Sequence, residues 1–216
     1  LKIASFGEMS IKLNNMPLSG LDSRKAEALL VYLACTRAPN EREFLAEFFW
    51  EERPPGRSLS NLRAVLSNLN KHLGSFLSIT RERVSLDLES NIQVDVWDLE
   101  RNIEFGSLED AVSIYTGDFL DGFNLRGAGG FELWADSERM RLRQSVLDAL
   151  HQLIDRLLEE SCWEDGESYT KKLLQMEPLD ENAHRKLMRL YYCSDQKSAA
   201  VAHFESFRGL LKNELG

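Results

Sequence analysis

The chain has 216 residues, 43% hydrophobic and 28% charged, the composition of an ordinary globular protein large enough to bury a core without disulfide or metal staples. That excludes disordered and collagen-like chains, and no apolar run approaches the roughly 18 to 20 residues of a membrane-spanning helix. The formal net charge of −9 would exclude a phosphate-binding protein if it were evenly spread, but residues 1–90 hold 12 basic and 11 acidic side chains and the remainder 14 and 24. Within the first half, residues 53–83 carry Arg53, Arg57, Arg63, Lys71, Arg81 and Arg83 against the lone acid Glu82, a basic cluster in an otherwise acidic chain.

The opening residues, Leu1-Lys2-Ile3-Ala4-Ser5-Phe6-Gly7, turn polar too soon for a secretory segment and lack an initiator Met, so the protein is read as cytoplasmic and trimmed at that end. Cys35, Cys162 and Cys193 are odd in number and far apart, which predicts reduced thiols. Alternation in 2–6, 8–13 and 16–18 predicts a small antiparallel meander with an Asn14-Asn15 turn. Ser23 is placed to cap a densely apolar helix running to about Cys35. Asn40 with Glu43 suits a capping box opening a second helix with Phe44, Leu45, Phe48 and Trp50, ended by Pro54-Pro55-Gly56.

Residues 57–73 contain neither Pro nor Gly, and Leu59, Leu62, Leu66, Leu69 and Leu73 recur every three or four positions, one apolar stripe of a helix stopped by Gly74. The opposite face presents Arg57, Ser60, Asn61, Ala64, Ser67, Asn68 and Lys71, with Arg63 and Asn70 at the seam and no carboxylate. A hairpin follows over 76–88, turning at Arg81-Glu82-Arg83. Sheet, three helices and terminal hairpin is the order of a winged helix. A helix of that diameter enters the major groove, where Ser and Asn reach base edges and Arg and Lys hold phosphates. Ser60, Asn61, Ala64, Ser67 and Asn68 are therefore the expected readers, and Arg57, Arg63, Lys71, Arg81 and Arg83 the expected anchors, of double-stranded DNA.

Beyond residue 93 the pattern is helical: 95–105, 108–116, 131–160, 164–176, 180–193 and 196–213. An offset of 34 pairs Ala149 with Ala183, Leu153 with Leu187, Leu157 with Tyr191 and Leu173 with Phe207, the tetratricopeptide period, and three stacked helical hairpins are expected. The fold class is thus mainly α with a small antiparallel β component: a winged helix-turn-helix over 1–92 and a tetratricopeptide-like hairpin array over 93–216. Catalysis has no support, because His72, His151, His184 and His203 are scattered and no nucleophile or phosphate-loop motif occurs. Gly127-Ala128-Gly129-Gly130 reads as a flexible connection. His151, Cys162, His184 and Cys193 lack metal-ligand spacing, so no metal and no cofactor is expected. Trp134, Trp163, Tyr169, Tyr191 and Tyr192 leave an alternative open, a ligand-sensing or protein-interaction module centred on the helical region.

Arg57-Ser58-Leu59-Ser60-Asn61-Leu62-Arg63 through Leu69-Asn70-Lys71-His72-Leu73-Gly74, the hairpin and Val94-Asp95-Val96-Trp97 resemble the recognition helix, wing and linker of SARP-type regulators. Tyr115-Thr116-Gly117-Asp118-Phe119-Leu120-Asp121-Gly122-Phe123, Phe131-Glu132-Leu133-Trp134, Ala183-His184-Arg185-Lys186-Leu187 and Glu214-Leu215-Gly216 resemble that family's bacterial transcriptional activator domain. Asn68 and Asn70 depart from it, standing where the family commonly has Arg. The resemblance implies an OmpR-type winged helix joined to three helical hairpins, binding at repeated promoter sites with a second protomer alongside, and recruitment of RNA polymerase holoenzyme. It also implies that the chain is the N-terminal part of a longer regulator.

Overall fold

A computed structural model describes residues 1–215; Gly216, which closes the tail motif, lies outside the described residues. The chain begins with strands β1 (Lys2–Ala4), β2 (Ser10–Leu13) and β3 (Met16–Pro17). Asn14 and Asn15 both take positive φ, 51° and 65°, the backbone that a two-residue hairpin turn requires at both central positions. Helix α1 (Arg24–Thr36) is capped by the Ser23 side chain, which accepts from the Ala26 N–H, and buries every residue from Ala28 to Ala34. Strand β4 (Asn40–Glu41) and helix α2 (Arg42–Phe49) follow, then α3 (Pro55–Leu73).

The capping box is not formed. Asn40 pairs with Val84 in a three-stranded sheet of order β4-β6-β5, with β5 spanning Leu77–Ile79 and β6 Arg83–Leu86. Its amide donates to Thr36 Oγ1 and the Ala38 carbonyl, and Glu41, without a side-chain bond, occupies the cap position. A backbone ladder to the wing outcompetes the local cap. Trp50 falls just past α2 as its C-cap, and the proline pair opens α3 rather than only closing α2, with Pro55 in the first turn, where its missing N–H costs nothing. Gly74 does not stop α3 in the left-handed region; it stays right-handed at φ −57° and passes into a 3-10 turn, Gly74–Phe76.

Strand β7 (Gln93–Val94) runs parallel to β1 and completes a second sheet, β3-β2-β1-β7. Helices α4 (Asp95–Glu104), α5 (Leu108–Ile114), α6 (Gly129–Glu159), α7 (Trp163–Met176), α8 (Glu181–Cys193) and α9 (Lys197–Leu215) complete the described chain. It divides into two compact units, one of residues 1–104 with 113–143, the other of 105–112 with 144–216.

In the first unit the segment after α5 packs on the N-terminal sheet. Phe6 bridges Phe119, Tyr115 sits 5.1 Å from the Phe6 ring, and Asp95 accepts from Ser5 N at 2.5 Å, Ser5 Oγ at 2.7 Å and Phe6 N at 2.8 Å. The glycine run expected to be a loose connection is instead tightly docked. Gly129 N donates to Glu51 Oε1 at 2.8 Å, satisfying a free donor at the start of α6. A Cβ on Gly130 would lie 2.9 Å from Phe48 Cδ2 and 3.1 Å from the Phe48 carbonyl. The aromatic Trp134 belongs to this unit, beside Tyr32, Phe119 and Phe131.

In the second unit α8 packs against both α7 and α9. Gly166 permits the closest approach: a Cβ there would stand 2.7 Å from Leu190 Cδ2 and 3.7 Å from Leu157 Cβ. His184 stacks on Phe207 with centroids 3.6 Å apart and meets His203 through a 2.8 Å ring-nitrogen hydrogen bond. His151 pairs with Asp180 at 2.8 Å, and the buried Lys186 donates to the His151 carbonyl and to Asp155.

Candidate nucleic-acid interface

Helix α3 is built from two incompatible faces. Leu62, Leu66, Leu69 and Leu73 are buried, and the small Ser58 joins them, its hydroxyl bonded to the carbonyls of Trp50, Arg53 and Pro54. Leu59 is only half-buried, because it lines a cleft instead of the core. On the other side Arg57, Ser60, Arg63, Ala64, Ser67 and Lys71 are exposed, while Asn61 and Asn68 are half-buried. Among the described residues none of Arg57, Arg63, Lys71, Arg81 and Arg83 has an ion-pair partner.

The wing is closed on itself by short-range bonds. Thr80 Oγ1 accepts from Arg83 N at 2.9 Å, Thr80 N donates to the Arg83 carbonyl at 2.9 Å, and β6 pairs with β5 from Leu77–Leu86 to Ile79–Val84. From the far side Arg42 N donates to the Glu82 carbonyl at 2.9 Å and its guanidinium to the Thr80 carbonyl at 3.1 Å. Wing and helix thereby frame a cleft of about 500 Å³ lined by Leu59, the cations Arg42, Arg63, Arg81 and Arg83, and the acids Glu41, Glu43 and Glu82. Arg42 is a member that sequence reasoning missed, since only the β4–β6 pairing carries it to the wing.

Three of the expected readers, Asn61, Ala64 and Asn68, line a second depression of about 320 Å³ with Lys25 and Trp50. Asn68 differs from the others. Its amide nitrogen donates to Asp22 Oδ2 at 2.7 Å and to the Gly20 carbonyl at 3.0 Å, and its oxygen accepts from Asp22 N at 3.3 Å. It clamps the loop before α1, so both ends of its side chain are occupied.

No helix of the described residues is long and apolar enough to cross a membrane. The bacterial transcriptional activator domain family matches residues 98–216. The regulatory protein AfsR of Streptomyces griseus is 30% identical over 182 residues, 80% of this chain and 18% of that protein. AfsR of Streptomyces coelicolor is 28% identical over 183 residues, with the same coverage of 80% and 18%. The chain therefore spans less than a fifth of the length of these curated relatives. Mycobacterium tuberculosis EmbR, solved in complex with a low affinity phosphopeptide, shares the fold with a TM-score of 0.64 and 20% identity, across 100% of this chain and 60% of that one. With more than half of its length matched, the chain belongs to the bacterial transcriptional activator domain family.

Proposed function

We propose that the chain binds duplex DNA sequence-specifically at repeated promoter sites in the bacterial cytoplasm, through helix 57–73 and wing 76–88, and regulates transcription as an activator. The observation that carries this reading is the exposed face of α3 itself: cations that form no ion pair among the described residues, on a helix without a single carboxylate, flanking small hydrogen-bonding side chains on an element that fits the major groove. Arg57, Arg63, Lys71, Arg81 and Arg83 hold phosphates, and Ser60, Asn61, Ala64 and Ser67 meet base edges. Asn68 contributes by fixing the loop at Gly20–Asp22. Residues 1–92 form the DNA-binding domain and residues 93–216 the acidic helical region that contacts RNA polymerase holoenzyme or a second protomer. No catalytic step is assigned to either.

The test is selection of the chain against a randomised duplex library, followed by affinity for the winner and a scrambled duplex over a salt series. A recurring motif, preferred over the scramble and with a salt slope reduced by about 0.9 in each of Arg63→Ala and Lys71→Ala, is the expected result. Equal affinity for both duplexes, or slopes unmoved by these substitutions, would overturn the assignment.

A further inference from the structure

Close to the start of α3, Arg53, Asn61 and Arg126 line a depression of about 360 Å³ together with Lys25, Trp50 and Glu52. It shares Lys25, Trp50 and Asn61 with the depression that holds Ala64 and Asn68, so the two form one continuous surface along the recognition helix. Arg126 is exposed and, among the described residues, has no ion-pair partner. It lies in the part of the chain matched by the activator-domain family, yet within the same compact unit as the winged helix.

Two ties hold this segment in place. The Lys25 ammonium donates to the Phe49 carbonyl and, at 2.9 Å, to the Gly127 carbonyl, while sitting 4.9 Å from the Trp50 ring centroid. Glu51 holds Gly129 three residues after Arg126. Lys25 is thus spent on backbone carbonyls and does not offer its charge to a ligand; burial, and then the nearby Arg53, push its pKa down. Glu51 is likewise engaged. Arg53 and Arg126 remain as two open guanidinium forks beside a base-reading asparagine, a geometry suited to a phosphodiester oxygen pair.

We propose that Arg126, together with Arg53, binds a backbone phosphate of the DNA next to the bases met by Asn61, so that the activator-domain segment supplies part of the DNA contact. This rests on the reading of α3 as the recognition helix. Arginine is suited to the task because its planar fork meets phosphate bidentately, and a phosphate contact adds affinity without choosing a base.

The test uses the full chain and the duplex obtained by selection, with scrambled duplex as comparison, over 50 to 200 mM salt. Arg126→Ala is expected to weaken both duplexes by the same factor and to lower the salt slope by about 0.9, making the affinity loss across that range about threefold shallower. Arg126→Lys, which keeps the charge but not the planar fork, should restore the salt slope and recover only part of the affinity. Glu52→Gln, which removes the acid of the same depression, should tighten both duplexes. Lys12→Ala, an exposed cation on β2, controls for net charge and should leave the slope unchanged. Arg126 is exposed and unpaired, so its variants should melt as the parent does. Wild-type affinity and slope in Arg126→Ala, with Arg63→Ala and Lys71→Ala still impaired, would overturn this inference alone. Wild-type behaviour in all three would overturn the recognition-helix reading as well.

Discussion

The exposed face of α3 with the wing, and the second compact unit, put the same kinds of cation to opposite ends. In the second unit Arg156 is bonded to Glu109, Lys171 to Glu167 at 2.6 Å, Lys186 to Asp155 at 2.8 Å and Arg208 to Glu205 at 2.5 Å. Each exposed pair adds at most about 1 kcal/mol, but each also removes a charge from what a partner can use. Helix α3 carries no acid at all, and in the wing Glu82 stands between Arg81 and Arg83 but, among the described residues, forms no ion pair with either; under the proposed reading, the local stability forgone there is the counterpart of an attraction left for an external anion. Net charge alone hides this, because the whole chain is acidic; whether a cation has an internal partner is the informative quantity.

The most direct way to break the contrast is to give the recognition face the acid it lacks. Ser67→Glu sets a carboxylate four residues after Arg63 and four before Lys71 on the exposed side of α3. It should raise helix stability by about 0.2–0.5 kcal/mol per pair while reducing DNA affinity at least tenfold, read by thermal melting and a titration on the same sample. Retained binding would mean that the face does not meet phosphate. An effect of comparable size, on stability alone, is expected from Gly166→Ala in the second unit. With Leu190 only 1% exposed and its Cδ2 2.7 Å from the added methyl, overpacking should cost about 1–3 kcal/mol, measured by urea unfolding; an unchanged midpoint would show that the α7–α8 approach is looser than described.

Two asparagines of α3, Asn61 and Asn68, sharpen the comparison further. Asn61→Ala should change base preference in a repeat selection with little change in melting. Asn68→Ala should lose about 0.5–1.5 kcal/mol of stability and keep the preferred sequence, because its amide already serves Gly20 and Asp22. Interchanged outcomes would exchange their roles. The smallest expected effect is a pH dependence at His203. Burial, then the neighbouring His184 and Lys171, lowers its pKa below the ordinary 6.5, so between the two values the unfolded chain binds the extra proton and stability rises with pH. The contribution is complete above about 6.5 and fades on acidification. His203→Gln should flatten the melting temperature between pH 7.5 and 5; an equal slope in the variant would place the titration elsewhere.

Periodic features were legible from the residues: the leucine stripe of α3, the Ser23 cap, the Asn-Asn turn and the succession of helices all follow from neighbours a few positions apart. What escaped was set by partners far along the chain. Asn40 carries a capping signature, yet pairs with Val84. The glycines at 127–130 look flexible until Glu51 and Phe48 dock on them. For the site, the cationic face was readable because it is one helix, whereas Arg42 entered through the sheet and Asn68 was partly withdrawn from it by a loop 46 positions away.

The carboxylate of Asp95, holding Ser5 and Phe6 by three donors, bears on the order in which the protein is made. Translation delivers β1 first, but its parallel neighbour β7 and its clamp arrive some ninety residues later. The leucine-striped helix can collapse onto α1 and α2 while the ribosome is still elongating, since its contacts are local; the N-terminal sheet must wait with an open edge until the linker emerges. Contacts this distant in sequence form slowly, and an unpaired edge is the part of a nascent chain most exposed to misassembly. Helix α3 is thus expected to fold before strand β1 has a partner on both edges.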